Sequence, residues 1–106
     1  MMKPFDIFIT YVSWKDGGKH RPVLVFSNDD SGACVFGITT QYENKSETIR
    51  AKYFRVDDWR QAGLDRQSYV DTFRILKLPP DAVNTTALIG RLTAKDKQRF
   101  IEFLRR

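Results

Sequence analysis

The sequence predicts a small, mainly β fold: a barrel of short antiparallel strands followed by one C-terminal helix. Three observations predict it. Apolar residues alternate in several short segments, turn-forming residues separate those segments, and a helical pattern appears only at the end of the chain. The chain has 106 residues, the usual length of one domain, so we expect a single domain over 1–106.

Three strands are predicted in the first 40 residues. Phe5–Val12 is apolar on both faces, which indicates a strand inside a closed or layered sheet. Residues 13–20 are polar and contain Asp-Gly-Gly, which predicts a loop with a sharp reversal. The second and third strands are predicted at Val23–Ser27 and Ala33–Thr40, and Gly37 inside the third indicates a bulge or a close backbone approach.

The second half of the chain mixes strands with short helical segments. Thr48–Val56 is predicted as a fourth strand and Asp57–Ala62 as one helical turn. Ser68–Leu78 should hold one or two strands, while residues 84–92 fit no clear pattern and leave a short helix open. The C-terminal helix is predicted from its apolar stripe, with Thr93 as its N-cap.

Composition excludes several classes of protein. Apolar residues make up 42% of the chain, which excludes a disordered tail. Cys34 is the single cysteine and His20 the single histidine, so a disulfide framework, a cysteine-based zinc cluster and a His-rich metal site are excluded. We expect no metal, no cofactor and no membrane span, because the apolar runs are far shorter than the roughly 20 residues that a span needs. A cytoplasmic location follows as an expectation.

The charge balance is basic. Eighteen Lys and Arg residues against 13 Asp and Glu residues give a formal net charge of +5. A polyanionic partner and a surface adapted for solubility are equally good explanations of a charge of this size.

A polar constellation at the strand ends offers a candidate site. Arg21 precedes the second strand and Thr39 ends the third, and pairing of these strands would bring the two residues together at one end of the sheet. A guanidinium matches two phosphate oxygens, and a hydroxyl adds a neutral donor and acceptor. The pattern therefore suits a phosphodiester. The alternative is that Arg21 forms a surface ion pair and that Thr39 is an ordinary strand residue.

With these residues in view, the chain resembles a known family over nearly its whole length. The segments that carry the resemblance are Asp6–Phe8, Gly18–Val25, Ile38–Gln41, Ala62–Leu64, Ser68–Asp71 and Ile89–Thr93. In this order they are similar to the MazF/PemK (Kid) toxins of bacterial type II toxin–antitoxin systems. The resemblance implies an SH3-like barrel of the CcdB-PemK type, with curved antiparallel strands, short helices and a C-terminal helix.

The resemblance also implies an activity. Typical members are metal-independent, sequence-specific endoribonucleases, or mRNA interferases, that cut single-stranded mRNA. The 2′-OH attacks the phosphorus and leaves a 2′,3′-cyclic phosphate and a 5′-OH. Members work as homodimers and are neutralised by an antitoxin, whose acidic segment would here cover the dimer groove and displace the predicted loop of residues 14–19.

The family's catalytic residues map onto this sequence position by position. The family's catalytic Arg falls on Arg21, and its Thr falls on Thr39, with Thr40 as a one-residue offset. His20 matches a His that some members carry before the Arg. PemK-like members pair an Asp base with an Arg two residues earlier; here Asp71 matches the Asp but Tyr69 stands in the place of the Arg. His20, Asp71 and water remain alternatives for the general base.

Further residues are candidates for RNA contact. Single-stranded RNA is commonly bound by aromatic stacking and by hydrogen bonds to base edges. Trp14 could stack on a base, Lys19 could contact a phosphate, and Gln41 could hydrogen-bond a base edge. Arg50 and Lys52 could contact the backbone. A core or dimer-interface position is the alternative for Trp14, and a solvated strand face is the alternative for Arg50 and Lys52.

Two other functions remain open at this point. The same barrel occurs in CcdB-like toxins, which poison DNA gyrase without catalysis. A member that has lost its activity would serve only as an RNA- or protein-binding module. The Arg21 and Thr39 pair favours the nuclease, because a gyrase poison has no need of it.

Overall fold

The computed structural model describes residues 2–106, without the side chains of Val12 and Trp14. It contains one six-stranded antiparallel sheet of strand order β4-β5-β3-β2-β1-β6 and three helices. The elements are β1 (Asp6–Trp14), β2 (Gly17–Asp29), β3 (Gly32–Thr39), α1 (Glu47–Arg50), β4 (Tyr53–Arg55), β5 (Tyr69–Leu78), α2 (Pro80–Val83), β6 (Ala87–Arg91) and α3 (Ala94–Leu104). The predicted mainly β fold with a C-terminal helix is confirmed. No helix in residues 2–106 is long and apolar enough to cross a membrane.

Both faces of the sheet carry apolar residues. On one face α3 supplies Phe100, which is fully buried and lies edge-on to Phe54 and Phe36, with ring centroids 5.0 and 5.8 Å away. The residues of the second cluster lie on the other face: Met2, Phe8, Val23, Val25, Ala33 and Val35, flanked by Leu76, Leu78 and Val83. The first half of β1 is buried on both sides, with Ile7 in the cluster below α3 and Phe8 in the second cluster, as its apolar pattern predicts.

The predicted polar loop at residues 13–20 is wrong, because most of it is strand. Trp14 pairs with Gly17, so Lys15 and Asp16 alone connect β1 to β2. Gly17 follows the two turn residues, a position that glycine favours in tight turns, and polar residues are tolerated in a hairpin that projects into solvent. As a consequence Arg21 lies within a long strand, where backbone pairing on its β1 side fixes it opposite Thr10.

The predicted strand over Thr48–Val56 is wrong in its first half, where the chain forms α1. The Ser46 Oγ accepts a hydrogen bond from the Ile49 backbone N at 3.3 Å and so caps the helix. Glu47 lies in the first turn and Arg50 in the last, which favours a helix electrostatically. The strand is limited to β4.

The undecided segment at residues 84–92 contains a strand, β6, and no helix of its own. A helix does form nearby, but it is α2, which begins at Pro80, a residue suited to a first helical turn. β6 instead pairs with β1, and Ile7 lies opposite Gly90. The predicted helical turn at Asp57–Ala62 is present as hydrogen-bonded turns, in which the Ala62 N donates to the Asp58 carbonyl O at 3.0 Å.

The sheet is closed by backbone contact between two glycines. A Cβ at Gly90 would lie 2.0 Å from the carbonyl O of Ala62, and a Cβ at Gly63 would lie 2.1 Å from the carbonyl O of Ile89. Gly63 also has a φ of 92°, which other residues rarely adopt. The turn that follows β4 therefore packs directly against β6 at the opposite edge of the sheet. Two of the segments that carry the family resemblance meet here.

A polar network holds the start of α3 against the same turn. Asp96 is fully buried and accepts hydrogen bonds from the Asp58 backbone N at 2.7 Å and from Arg99 Nη1 at 2.6 Å. Thr93 is the N-cap, as predicted, and accepts from the Asp96 N. Its hydroxyl donates to Asp58 Oδ2 at 2.7 Å, and this bond, with Lys95 and Arg99 nearby, lowers the pKa of Asp58.

Candidate active site

Two clefts open beside Arg21 and Thr39. The central cleft has a volume of about 310 Å³. It is lined by Ser13, Arg21, Val23, Gly37, Ile38, Thr39, Asp71, Arg74 and Leu76. The end cleft has a volume of about 380 Å³. It is lined by Lys19, His20, Arg21, Pro22, Ile38, Thr39, Thr40, Gln41, Leu64, Asp65, Arg66 and Ser68. Arg21 and Thr39 line both clefts.

Strand register brings Arg21 and Thr39 together. β2 and β3 pair with Val23 opposite Gly37, and the same register extended by two residues places Arg21 opposite Thr39. Residues directly opposite each other in a sheet share a face, so both side chains belong to the face away from α3. The sequence predicts this juxtaposition from the strand order, and the structure places the two residues as predicted. Arg21 and Thr39 are both half-buried.

The central cleft has an open floor at Gly37. This glycine lies between Val23 on β2 and Asp71 on β5, in the same row across the sheet. A Cβ at Gly37 would meet no atom within 4 Å. The space above the strand is therefore available to a ligand, whereas a larger residue would fill it.

The opposite wall of the central cleft comes from Asp71 and Arg74. Asp71 pairs with Gly37, and Leu76 pairs with Val35. Four residues of β5, 72–75, therefore lie opposite the single residue Phe36 of β3. Such a bulge reverses the alternation of side chains and brings Arg74 to the same cleft as Asp71. The predicted irregularity at Gly37 lies in the partner strand, because the extra residues belong to β5 and not to β3.

Arg74 is the site residue that sequence reasoning misses. Regular alternation assigns residues 71 and 74 to opposite faces of a strand, and the family pattern directs attention to the residue two before Asp71. The Asp71 side chain itself holds the bulge, because its Oδ1 accepts a hydrogen bond from the Phe73 backbone N at 2.8 Å. Asp commonly bonds the backbone two residues later in turns, so Asp71 inside a strand is the one signal that points to the bulge.

Thr39 has a defined hydroxyl. Its Oγ1 accepts a hydrogen bond from the Gln41 backbone N at 3.0 Å. A hydroxyl that accepts in this way can still donate its own hydrogen to a ligand. Thr40 follows the end of β3, is exposed and lines only the end cleft.

His20 and Lys19 line the end cleft and not the central one. His20 neighbours Arg21 in β2, so its side chain leaves the opposite face of the strand. Its ring lies edge-on to Tyr11, with a centroid distance of 5.3 Å. Gln41 also lines the end cleft, and its Oε1 accepts from Asn44 Nδ2 at 3.4 Å.

Two of the predicted RNA contacts, Arg50 and Lys52, lie away from both clefts, and a third, Trp14, has a side chain that the structure does not describe. Arg50 and Lys52 are not among the described residues that line either cleft. The Arg50 guanidinium lies 5.6 Å from the centroid of the Tyr42 ring, and the Lys52 carbonyl accepts from the Thr72 N at 2.9 Å. The Trp14 side chain, and with it the prediction that it stacks on a base, lies outside the described residues.

The central cleft combines two guanidinium groups, one carboxylate and two hydroxyls. Arg21 and Arg74 can hold the oxygens of one phosphate from two sides, while Asp71 can accept a proton. Tyr53, opposite Asp71 on β4, has a raised pKa because burial and the Asp71 charge disfavour its ionised form, although Arg74 opposes this shift. In residues 2–106 no group of three or more His, Cys, Asp or Glu side chains could hold a metal ion.

Comparisons with known proteins agree with this fold. No protein-family model matches the sequence, and no curated protein matches it. Among solved structures, the chain is similar to the Mycobacterium tuberculosis toxin MazF-mt6, with 24% sequence identity and a TM-score of 0.67. The match covers 93% of this chain and 91% of that one. Along nearly its whole length, the chain therefore shares the fold of this MazF toxin.

Proposed function

We propose that this chain is a MazF-type toxin that cleaves single-stranded mRNA without a metal ion. The observation that carries the proposal is the central cleft, in which Arg21, Arg74, Asp71 and Thr39 surround an open floor at Gly37. A phosphate of RNA fits this set of groups, and the fold is that of a MazF toxin. RNA brings its own nucleophile, so the site needs only to bind, orient and transfer protons.

The residues divide the chemistry between them. Asp71 takes the proton of the 2′-OH, whose oxygen forms a bond to phosphorus as the bond from phosphorus to the 5′ oxygen breaks. The products are a 2′,3′-cyclic phosphate and a 5′-OH, which receives its proton from solvent. Arg21 and Arg74 stabilise the charge that develops on the phosphoryl oxygens, and Thr39 orients the phosphate. Asp71 is preferred to His20 as the base because it lines the central cleft and His20 does not.

The proposed partners follow from charge and from the fold. An acidic antitoxin segment, disordered until bound, would complement the net charge of +5 and cover the hairpin end at residues 14–19. We propose a cytoplasmic homodimer, which sedimentation at micromolar concentration tests. A strict monomer would contradict the dimer.

Two other functions compete with the nuclease. A gyrase poison of the same fold, or an inactive RNA- or protein-binding member, would have no use for Asp71 and Arg74 in the same cleft as Arg21. The convergence of these charged groups on one open space favours chemistry at a phosphodiester.

A cleavage assay in EDTA separates these functions. We expect a long single-stranded RNA, incubated with the pure protein and excess EDTA, to give discrete fragments with 5′-OH and cyclic phosphate ends. Intact RNA at a large excess of protein would overturn the proposal. Inhibition of gyrase supercoiling, in a separate assay with Mg²⁺ and ATP and without EDTA, would then identify the chain as a poison.

A Gly37→Val variant is expected to lose activity while it keeps its fold. The new Cβ enters the open floor of the central cleft, where it meets no protein atom within 4 Å, and the valine side chain displaces the phosphate. Misplacement of a substrate by about 1 Å costs up to about a hundred-fold in rate, and we expect kcat/KM to fall at least about ten-fold. Ser27→Val, which places the same valine side chain at an exposed β2 position, is the control, and thermal unfolding checks stability. Cleavage at the wild-type rate would show that substrate does not occupy this cleft.

A further inference from the structure

A stack of tyrosines lies beside the central cleft. Tyr42 and Tyr69 have ring centroids 4.3 Å apart and planes inclined by 9°. Tyr53 lies 6.4 Å from Tyr42, and all three rings are half-buried. This near-parallel packing is the arrangement that one nucleobase adopts on another, and aromatic side chains of this kind hold unpaired bases in proteins that bind single strands.

Register places this stack next to the proposed site of cleavage. Tyr69 pairs with Thr39, and Tyr53 pairs with Asp71, so both tyrosines share a sheet face with the central cleft. Tyr42 directly follows Gln41, which lines the end cleft. When the phosphate of one nucleotide lies between Arg21 and Asp71, the base of the neighbouring nucleotide can therefore reach the tyrosine stack.

A cationic side chain, that of Arg50, lies at the tyrosine stack. The Arg50 guanidinium lies 5.6 Å from the centroid of the Tyr42 ring. Arg50 ends α1, and the Ser46 cap fixes that helix immediately after the segment that carries Tyr42. The guanidinium lies over the ring that Tyr69 stacks on, so an incoming base would take the place of the cation on Tyr42 while the cation moves to the phosphate of that nucleotide.

We propose that Tyr42, supported by Tyr69, is the platform for one unpaired RNA base next to the scissile phosphate, and that Arg50 contacts the phosphate of that nucleotide. This inference rests on the proposed function. Arg50, which lines neither cleft, thereby gains a role in RNA binding. Gln41 precedes Tyr42 and lies beside the stacked base, where its amide can hydrogen-bond the base edge.

Binding to an uncleavable RNA tests the platform. The probe is a short single-stranded RNA that contains the mapped cleavage site, with a 2′-deoxy nucleotide at the cut and with one base at a time removed. With the wild-type protein we expect one position next to the cut at which loss of the base weakens binding about five- to a hundred-fold, the range that stacking on one aromatic ring contributes. The Tyr42→Ala variant should bind intact RNA more weakly by the same factor. Removal of the base at that position should then weaken its binding no further.

Control variants separate stacking from a general loss of structure. Tyr42→Phe keeps the ring and should bind as the wild type does, whereas Tyr42→Leu keeps apolar bulk but should bind as weakly as Tyr42→Ala. Phe26→Ala removes an exposed ring outside both clefts and should change nothing. If Tyr42→Ala binds RNA as tightly as the wild-type protein or more tightly, the platform is overturned. The proposed nuclease still stands in that case, provided that the wild-type protein cleaves RNA. RNA neither bound nor cut by the wild type would overturn both.

Discussion

An Arg21→Ala variant is expected to cleave RNA about a hundred- to a thousand-fold more slowly than the wild-type protein. Arg21 lines both clefts and lies opposite Thr39, and in the proposed mechanism its charge stabilises the phosphoryl oxygens in the transition state. Removal of one preorganised donor from a site of this kind has an effect of that size on kcat. Single-turnover cleavage of a short RNA, with product ends analysed, measures it directly.

The controls for this variant test both charge and geometry. Arg21→Lys keeps the charge but loses the planar fork that holds two oxygens, so its rate should lie between those of Arg21→Ala and the wild type. Arg105→Ala removes the same charge from an exposed residue at the end of α3 and should leave the rate unchanged. If Arg21→Ala and Arg105→Ala cleave equally well, Arg21 has no part in the chemistry.

Replacement of Asp96 by Ala is expected to lower the free energy of unfolding by about 2–3 kcal/mol. The carboxylate is fully buried, and its loss leaves the Asp58 backbone N and the Arg99 guanidinium without their shortest hydrogen bonds. For a chain of this length the midpoint of thermal unfolding should fall by about 10–20 °C. Calorimetry or circular dichroism at neutral pH measures the change.

Asp57→Ala is the matched control for that substitution. Asp57 belongs to the same turn and faces Arg55, Lys95 and Arg99, but its side chain is 35% exposed and its ion pairs are 3.5–3.9 Å long. Exposed pairs of this kind contribute about 1 kcal/mol or less. Equal losses for the two variants would show that α3 is not held by the buried carboxylate.

The regular part of the fold is predictable from the sequence. β3, β5 and α3 follow from apolar alternation, from turn residues and from the Thr93 cap, because these signals act within a few residues. The strand predicted over Thr48–Val56 fails because Ser46 caps a helix whose other residues favour neither structure strongly. Residues 87–91 become a strand because β1 pairs with them across the sheet, and no local pattern reveals such a partner.

The candidate site is predictable to the same extent. The juxtaposition of Arg21 and Thr39 follows from the order of two consecutive strands, which sequence alone suggests. Arg74 does not follow, because it reaches the central cleft only through the bulge in β5. The pairing of Tyr42 with Tyr69 joins an irregular segment to a strand 27 residues away in the sequence, and such contacts are set by packing.

The glycine contact at Gly63 and Gly90 also governs how copies of the molecule meet. Strands at the margin of a sheet present unpaired N–H and C=O groups, which recruit further strands and seed aggregates. Here the turn after β4 packs against β6 at Gly90, and β4 itself is three residues long and includes the charged Arg55. A short, charged edge strand and a margin crowded by a neighbouring turn both disfavour the addition of a further strand. The closure of the sheet therefore also lowers the tendency of copies to join into a continuous intermolecular sheet.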